Sequence, residues 1–289
     1  MNSPVLIFIL SGICFSTVDA IAKILVQDTN LIVVVWARFF GQLLLAAPIA
    51  IYFLGKQFWR TNNIRLQLFR SCLLVGTAAL FFAGLNWLPL AEASSITFTA
   101  PIWVAILSRP ILGEKVGIQE WLVAGVGFFG IVLIARPGSA IFHFAALFLV
   151  AMAFLNAIFQ LYTRKLTDDS AYTTFFYSGL VGLAASTILL PYAKPLPLLP
   201  IYEYALFGLL GILGGLAHLL VVLAFYKMKP YKLTPLVFLQ LIWAVAYGYL
   251  IFGELPDSLS VLGMVLIAGS GVWLIWNHHS SPSQDYKEI

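Results

Sequence analysis

The chain has 289 residues, of which 61% are hydrophobic and only 10% are charged. A water-soluble domain carries about 25% charged residues, so a soluble fold is excluded and lipid must cover most of the surface. The formal net charge of +4 does not indicate a nucleic-acid partner, because the basic residues cluster in short loops between apolar segments, a pattern typical of membrane topology signals.

Apolar segments long enough to cross a bilayer occur ten times along the chain. Such a segment needs about 20 residues, because each helical residue rises about 1.5 Å through a hydrocarbon core of about 30 Å. In chain order, segments 1 to 10 are 4–26, 31–54, 66–88, 92–112, 119–135, 142–163, 172–192, 203–226, 233–252 and 259–276. They predict an all-α polytopic membrane protein with ten transmembrane helices. Residues 278–289 are expected to form a polar cytoplasmic tail.

The distribution of Lys and Arg predicts how the chain is oriented. With the N-terminus in the cytoplasm, 12 of the 16 basic residues lie in cytoplasmic loops or at cytoplasmic helix ends. Arg136 and Lys194 lie outside, and Lys23 and Arg38 lie within apolar segments. Because short loops rich in Lys and Arg stay in the cytoplasm, both termini are expected to be cytoplasmic. No basic residue precedes Lys23, so segment 1 is interpreted as a retained helix and not as a cleaved signal peptide.

Two pairs of matching blocks indicate an internal duplication. Trp103 in segment 4 and Trp243 in segment 9 each precede a Gly-Glu pair by ten residues. In segment 1, an acid and a lysine lie four residues apart on one helical face, and segment 6 has Asn156 and Gln160 at the same spacing. The two offsets are 140 and 137 residues, which predicts a first repeat over 1–138 and a second over 139–277.

Each repeat contains five segments, an odd number, so the second copy must enter the membrane from the opposite side. The sequence therefore predicts two inverted five-helix repeats. This architecture is typical of secondary transporters, whose substrate site lies near the midplane between the repeats.

Several of these residues carry a family resemblance. They are Phe15-Ser16, Asp19 and Lys23 in segment 1, Trp36-Ala37-Arg38-Phe39 in segment 2, and the two blocks that end in Gly113-Glu114 and Gly253-Glu254. The pattern resembles the drug/metabolite transporter superfamily, EamA-type, over nearly the whole chain. The resemblance implies a ten-helix carrier with a site lined by segments 1, 3, 4, 6, 8 and 9. Segment 1 also resembles the branch that contains S-adenosylmethionine uptake carriers.

Charged residues within the apolar segments are the first candidates for a substrate site. Asp19 lies about 12 Å from the outer end of segment 1, and a charge at that depth is costly unless it is paired or faces a cavity. One interpretation is an intrahelical pair with Lys23. The other is a site for an amino-acid-like substrate, or a proton-coupling carboxylate. Arg38 either pairs with an outer acid such as Glu92 or binds a substrate carboxylate through its guanidinium fork.

Segments 4 and 9 are the candidate gating elements. Pro101 removes a helical hydrogen bond and is expected to free the carbonyl of Thr97, while the nearby hydroxyls are expected either to bond back to the helix or to meet substrate. Pro235 is the gating candidate in segment 9. The full set of candidate substrate-binding residues is Asp19, Lys23, Arg38, Asn86, Trp103, Asn156, Gln160, His218, Gln240 and Trp243.

These features favour a secondary transporter of a small polar or zwitterionic metabolite, amino-acid-like and possibly similar to S-adenosylmethionine, working by alternating access in the inner membrane. Its partners are then the substrate, the lipid bilayer and, as coupling ion, protons through Asp19. The alternatives are an exporter of broad specificity, a channel and a membrane enzyme acting on lipid-linked substrate. No enzyme motif occurs in the sequence, and no cofactor or metal is expected.

Overall fold

The computed structural model describes residues 4–113, 118–136, 143–166, 168–195, 199–227 and 239–280. The α-helices of this part of the chain are α1 (Pro4–Asp28), α2 (Leu31–Leu54), α3 (Ile64–Gly84), α4 (Leu90–Thr97), α5 (Ala100–Leu112), α6 (Ile118–Ala135), α7 (Ala145–Arg164), α8 (Ala171–Leu189), α9 (Ile201–Lys227), α10 (Leu239–Phe252) and α11 (Ser258–Ser280). No strand occurs in these ranges, so the predicted all-α class is confirmed.

Six helices are long and apolar enough to cross a membrane on their own, and α10 and parts of α6 and α11 are shorter apolar helices. Large apolar side chains remain exposed around the bundle, for example Leu250 and Ile188 with exposed fractions of 75% and 71%. Lipid covers such a surface, because apolar side chains are at low free energy in contact with hydrocarbon. The backbone polar groups need no water there, since they form hydrogen bonds within each helix.

One predicted segment is wrong. Segment 4 is not one helix but two, α4 and α5, separated at Phe98 and Thr99. Pro101 lies in the first turn of α5, where a residue without an N–H is tolerated, so the chain restarts a helix there instead of leaving one with a missing bond. Helix α11 continues to Ser280, and residues 281–289 of the predicted tail lie outside the described residues. Pro235 lies outside the described residues.

Helix packing relates the two halves of the chain. Counted from the start of each half, α1 corresponds to α7, α2 to α8 and α3 to α9. The contact between α1 and α9 therefore corresponds to the contact between α7 and α3. In the same way, the contact between α2 and α9 corresponds to that between α8 and α3. Helices α2 and α8 pack on each other, as do α6 and α11. This pairing is the one expected of two repeats related by a two-fold axis.

Glycines let the halves approach closely at two crossings. A Cβ atom on Gly41 of α2 would lie 2.5 Å from the backbone of Gly211 of α9. At the α6–α11 crossing, a Cβ on Gly130 would lie 2.8 Å from the carbonyl oxygen of Gly263. Neither helix pair could keep its separation with a side chain at these positions.

The two ends of the bundle differ in charge. The end where α1, α3 and α10 finish carries Asp28, Glu92, Glu254 and Asp257, and is named the acidic end. The end where α2 and α7 finish carries Lys56, Arg60, Arg65, Arg164 and Lys165, and is named the basic end. The site residues lie between these two ends.

Candidate functional site

Charged and polar side chains from α1, α2 and α9 meet inside the bundle. Arg38 is only 6% exposed, and its guanidinium donates hydrogen bonds to Gln42 Oε1 at 3.0 Å and to the carbonyl oxygen of Gly214 at 3.2 Å. Its charge also interacts with that of Asp19 on α1. The predicted pairing of Arg38 with Glu92 is wrong, since Glu92 instead accepts a hydrogen bond from Ser260.

Gly214 makes room for this arginine. A Cβ atom at that position would lie 2.2 Å from the guanidinium carbon of Arg38. The side chain of Arg38 therefore reaches the backbone of α9 only because residue 214 has no side chain. Gln42, four residues along α2, is fully buried and holds the guanidinium from the other side.

Asp19 lies in the middle of the bundle but is not fully buried. Within the described part of the chain, no hydrogen-bond donor contacts its carboxylate. Because a charge at this depth is costly unless it is paired or faces a cavity, a carboxylate that keeps some accessible surface is a candidate to accept a proton or a cationic group. Arg38 supplies the opposite charge nearby.

His218 of α9 belongs to the same group. Its ring packs edge-to-face against Phe15 of α1, with ring centroids 5.0 Å apart, and it lies within electrostatic range of Arg38 and Arg70. Asp19, Arg38 and His218, all predicted as site residues, are thus brought together. Together with Arg70 of α3 they form a column of polar side chains, which is named the central column.

Lys23 does not belong to this column. It is 3% exposed, and its Nζ lies 2.5 Å from Glu254 Oε1 and 2.7 Å from Oε2. It also donates to the carbonyl oxygen of Leu88 at 3.0 Å. The interpretation that Lys23 pairs with Asp19 on its own helix is therefore wrong: its partner is an acid 231 residues away in sequence, in the loop after α10.

Glu254 also accepts a hydrogen bond from the backbone N–H of Leu90 at 3.1 Å, where α4 begins. This one carboxylate therefore joins α1 and α4 to the α10–α11 loop. In the sequence, the two Gly-Glu pairs directly follow segments 4 and 9 and serve as markers of the duplication. Gly253 does adopt the left-handed conformation that favours glycine, with φ of 67°, but the adjacent acid has a further role that the helix-end pattern did not reveal.

A second ion pair lies beside the first. Arg136, just after α6, contacts the carboxylate of Asp257, which also accepts a hydrogen bond from the N–H of Ser260 at 2.8 Å. The Arg136 guanidinium and the Ser260 N–H hold the pKa of Asp257 well below its usual range. The α10–α11 loop, residues 253–257, thus closes the acidic end through two acids.

Polar side chains surround the break between α4 and α5. The hydroxyls of Ser95, Thr97 and Thr99 bond back to carbonyls of their own segment, which confirms the structural interpretation for these three. The Oγ of Ser94 and the indole N–H of Trp103 are buried and have no hydrogen-bond partner among the described residues. The ring of Trp103 packs edge-to-face on Phe154 of α7, with centroids 5.4 Å apart.

The remaining candidates are more dispersed. Gln240 packs on α1, because a Cβ atom added to Gly12 would lie 3.1 Å from the Cγ of Gln240. The backbone carbonyl oxygen of Gln240 also accepts a hydrogen bond from the hydroxyl of Ser16. Gln160 is exposed. Three further candidates are partly buried: Asn86, Asn156 and Trp243. Helices α1 and α7 form no extensive interface with each other in the described ranges, so Asn156 and Gln160 do not pack directly on α1.

Arg70 of α3 is the site residue that sequence reasoning missed. It is 4% exposed and donates to Thr163 Oγ1 at 2.7 Å and to Ser178 Oγ at 3.0 Å. It was assigned to the cytoplasmic charge count because it lies near the start of its segment. The signal was nonetheless present, since Gln67, Arg70, Ser71 and Thr77 recur at helical spacing along one face of α3 and all are buried.

The basic end has a cleft of about 600 Å³ between the α2–α3 and α7–α8 loops. Its lining includes Trp59, Arg60 and Asp169. Asp169 accepts hydrogen bonds from the hydroxyl of Thr61, from the N–H of Asn62 at 2.8 Å and from Gln67 Nε2 at 2.8 Å. Partial burial raises the pKa of this carboxyl, but these hydrogen bonds outweigh that effect and lower it.

A lipid-embedded bundle of two related halves, with charged side chains at its centre, is the architecture of a secondary transporter. A model of the EamA-like transporter family matches residues 2–136 and again residues 143–276. The chain therefore belongs to the EamA-like transporter family, as the sequence pattern predicted, and it is a multi-pass membrane protein that transports small metabolites.

Curated relatives agree with this assignment. The chain is 28% identical over 279 residues to an S-adenosylmethionine uptake transporter of Rickettsia bellii, which covers 96% of this chain and 94% of the relative. It is 30% identical over 224 residues to a riboflavin transporter of Rhizobium johnstonii, covering 78% and 74% of the two chains. A solved crystal structure with 16% identity matches 99% of this chain and 100% of its own with a TM-score of 0.70, which supports the fold.

Proposed function

We propose that the protein is a secondary carrier that moves a small zwitterionic metabolite, amino-acid-like and of the S-adenosylmethionine type, across the inner (plasma) membrane by alternating access. The observation that carries this proposal is the buried guanidinium of Arg38, held by Gln42 and the Gly214 carbonyl, within electrostatic range of the Asp19 carboxylate in the middle of the bundle. A zwitterion presents an ammonium and a carboxylate, and these two side chains offer the complementary charges at one site.

The relatives support the substrate class. A protein that covers nearly the same length is an S-adenosylmethionine uptake transporter. S-adenosylmethionine carries an amino-acid head group and a heterocycle, and the unpartnered indole N–H of Trp103 provides a donor beside an aromatic surface. The riboflavin transporter among the relatives supports a substrate with a heterocyclic part.

The proposed orientation places the basic end in the cytoplasm together with both termini, because Lys and Arg are retained on that side. The two repeats, over 1–138 and 139–277, then exchange conformations, so that the site is exposed in turn to each side of the membrane. In this scheme, Lys23 and Glu254 form the contact that breaks when the acidic end opens. Pro101, beside the α4–α5 break, and Pro235 are the proposed gating positions.

Asp19 is also the proposed coupling group for protons. A carboxylate that exchanges its proton during the cycle would link substrate movement to the proton gradient, since no nucleotide-binding motif is present in the sequence. In proteoliposomes, uptake by the wild type is then expected to respond to an imposed pH gradient. Uptake that ignores the gradient, with Asp19→Asn behaving like the wild type, would overturn this coupling.

The test of the transport function uses purified full-length protein in proteoliposomes with labelled S-adenosylmethionine. Saturable uptake and counterflow by unlabelled substrate are expected, and together they separate a carrier from a channel or an enzyme. Asp19→Asn should lower kcat/KM at least about tenfold, which corresponds to about 1.4 kcal/mol of lost transition-state binding.

The matched control is Asp28→Asn, an exposed acid on the same helix, which should transport like the wild type. If S-adenosylmethionine does not enter, the same assay is run with other amino acids and with riboflavin. Absence of saturable flux for every zwitterion in this panel would overturn the proposed function.

A further inference from the structure

Two equivalent helix interfaces each contain one buried arginine. Arg38 lies between α2 and α9, and Arg70 lies between α3 and α8, which is the corresponding interface in the other half of the bundle. Arg38 is the eighth residue of α2, about 10 Å from the acidic end, and Arg70 is the seventh residue of α3, about 9 Å from the basic end. The two guanidinium groups therefore lie at similar depths from opposite ends.

Duplication of the sequence does not account for this placement. Arg38 is on the second helix of its repeat, and the corresponding helix of the other half is α8, which supplies acceptors to Arg70 and not an arginine. Each interface carries its arginine on a different helix. Since a buried cation in a membrane is costly, the presence of one at each equivalent interface points to a shared use.

The charges of the central column do not balance. Glu203, a further buried carboxylate, lies in the first turn of α9 and outside this column. The acceptors of Arg70 are all neutral: Thr163 Oγ1, Ser178 Oγ and the carbonyl oxygen of Thr174. Among the described residues, no carboxylate lies within salt-bridge distance of it. Lys23 is already neutralised by Glu254, so Asp19 is the one carboxylate in the central column opposite two guanidinium groups.

Both guanidinium groups retain capacity for a ligand. An arginine has five N–H donors, of which the described contacts use two in Arg38 and three in Arg70. His218, whose ring packs on Phe15 of α1, lies within electrostatic range of both guanidinium groups, so the three side chains are treated as one column. An anionic group on the substrate would supply the missing negative charge at either position.

We propose that Arg38 and Arg70 are the two carboxylate contacts of one transport path, each used in a different state. Arg38 binds the substrate carboxylate when the acidic end is open, and Arg70 binds it when the basic end is open. Asp19 contacts the ammonium group. This inference rests on the proposed function as a zwitterion carrier, and it makes Arg70 a specificity-determining residue.

The experiment measures KM separately from each side of the membrane. In the proteoliposomes, an impermeant reagent blocks the transporters inserted in one orientation, so that only the other orientation is active. The flux of the zwitterion is then compared with the flux of its decarboxylated amine. Arg70→Gln is expected to raise KM for the zwitterion about tenfold at the basic end and to leave KM at the acidic end unchanged. Arg38→Gln should do the reverse, and neither should alter KM for the amine.

Arg65→Gln is the matched control, because Arg65 is exposed on the same helix as Arg70. It should leave KM unchanged on both sides. If Arg70→Gln fails to fold, Arg70→Lys decides, because it keeps the charge but loses the guanidinium fork: a rise in KM at the basic end alone supports the pair.

A structural role for Arg70 predicts a different result. KM would then change equally on both sides, or the amine would be affected as much as the zwitterion, and either outcome would overturn the two-arginine path while leaving the carrier function intact. A wild type that transports the amine but no zwitterion overturns the proposed function itself.

Discussion

The acidic and basic ends of the bundle are built from equivalent helices but are held by different chemistry. At the acidic end, the α10–α11 loop joins α1, α4, α6 and α11 through Glu254 and Asp257, with two ion pairs. At the basic end, Asp169 holds the α2–α3 loop through neutral donors, beside an open cleft of about 600 Å³. The acidic end is therefore held by paired charges, whereas the described contacts of Asp169 at the basic end are with neutral donors.

This difference arises from side chains that are not the same at equivalent positions of the two repeats. The counterparts of Gly253 and Glu254 in the first repeat are Gly113 and Glu114, but the counterpart of Lys23 is Gln160. The lysine that forms the buried ion pair at one end is therefore replaced by a neutral residue at the other. The helix scaffold treats the two ends alike, whereas the side chains favour closure of the acidic end.

Glu254→Gln is the substitution expected to affect this comparison most. It leaves the buried Lys23 without a counter-charge, which costs about 3–5 kcal/mol for a buried pair, so the closed acidic end loses stability relative to the open one. A cysteine at Ala91, buried on α4, in a background without Cys14 and Cys72, should react with an impermeant maleimide at least about tenfold faster.

Asp28→Asn is the control for this labelling, because Asp28 is an exposed acid at the same end. It should leave the rate at residue 91 unchanged. An unchanged rate in Glu254→Gln would show that the ion pair does not hold the acidic end closed, and the two ends would then be energetically alike.

Gly211→Ala has the next largest expected effect and acts on the scaffold that both ends share. The added methyl group would approach the carbonyl oxygen of Ala37 to 2.6 Å, and overpacking of this kind costs about 1–3 kcal/mol. The detergent-solubilised variant should therefore unfold at a lower temperature. Gly208→Ala on the same helix meets no atom within 4 Å and should unfold like the wild type. Equal melting of the two variants would contradict the close crossing of α2 and α9.

The smallest expected effect concerns Asp257, whose pKa lies below its usual range because of Arg136 and the Ser260 N–H. A carboxyl whose pKa is lowered by folding stabilises the protein above its unfolded pKa of about 3.9, and this stabilisation is lost as the pH falls toward the folded value. The Tm difference between the wild type and Asp257→Asn should thus be constant from about pH 8 to 5 and should shrink below about pH 4.

Asp169→Asn sharpens this comparison because the pKa of Asp169 is lowered in the same direction but by neutral donors. Its Tm difference should follow the same pH trend. Added salt should reduce only the Asp257 difference, because screening acts on the exposed ion pair with Arg136. A Tm difference at Asp169 that is equally sensitive to salt would contradict the distinction between the ends.

Much of the fold was accessible from the sequence because a membrane helix satisfies its own backbone and is recognised by length and hydrophobicity. The predicted range of segment 2 coincides with that of α2, and segment 7 matches α8 and the short 3-10 turn that follows it. The break at Phe98 and Thr99 was not predicted, since the residues there remain compatible with a continuous helix and the interruption depends on neighbouring helices.

The site was predicted in part for a related reason. Asp19, Arg38 and His218 are polar residues in apolar segments, so each is recognisable alone. The partner of Lys23 was not predicted, because the choice between Asp19 on the same helix and Glu254 in a distant loop depends on how α1 and α10 pack. Arg70 was misassigned because a basic residue near a helix start serves equally well as a topology signal.

The packing of α1 on α9, α2 on α8, α3 on α7 and α6 on α11 has a consequence for biogenesis, because each of these interfaces joins one repeat to the other. Translation places the first repeat in the membrane before its partner helices exist. At that stage Arg38 lacks its acceptor, the carbonyl oxygen of Gly214. Lys23 lacks its ion-pair partner Glu254, which follows it by 231 residues in the chain. The repeats are units of sequence but not of folding, so the nascent first half depends on lipid, water or the insertion machinery to shelter its charges until the last loop is made.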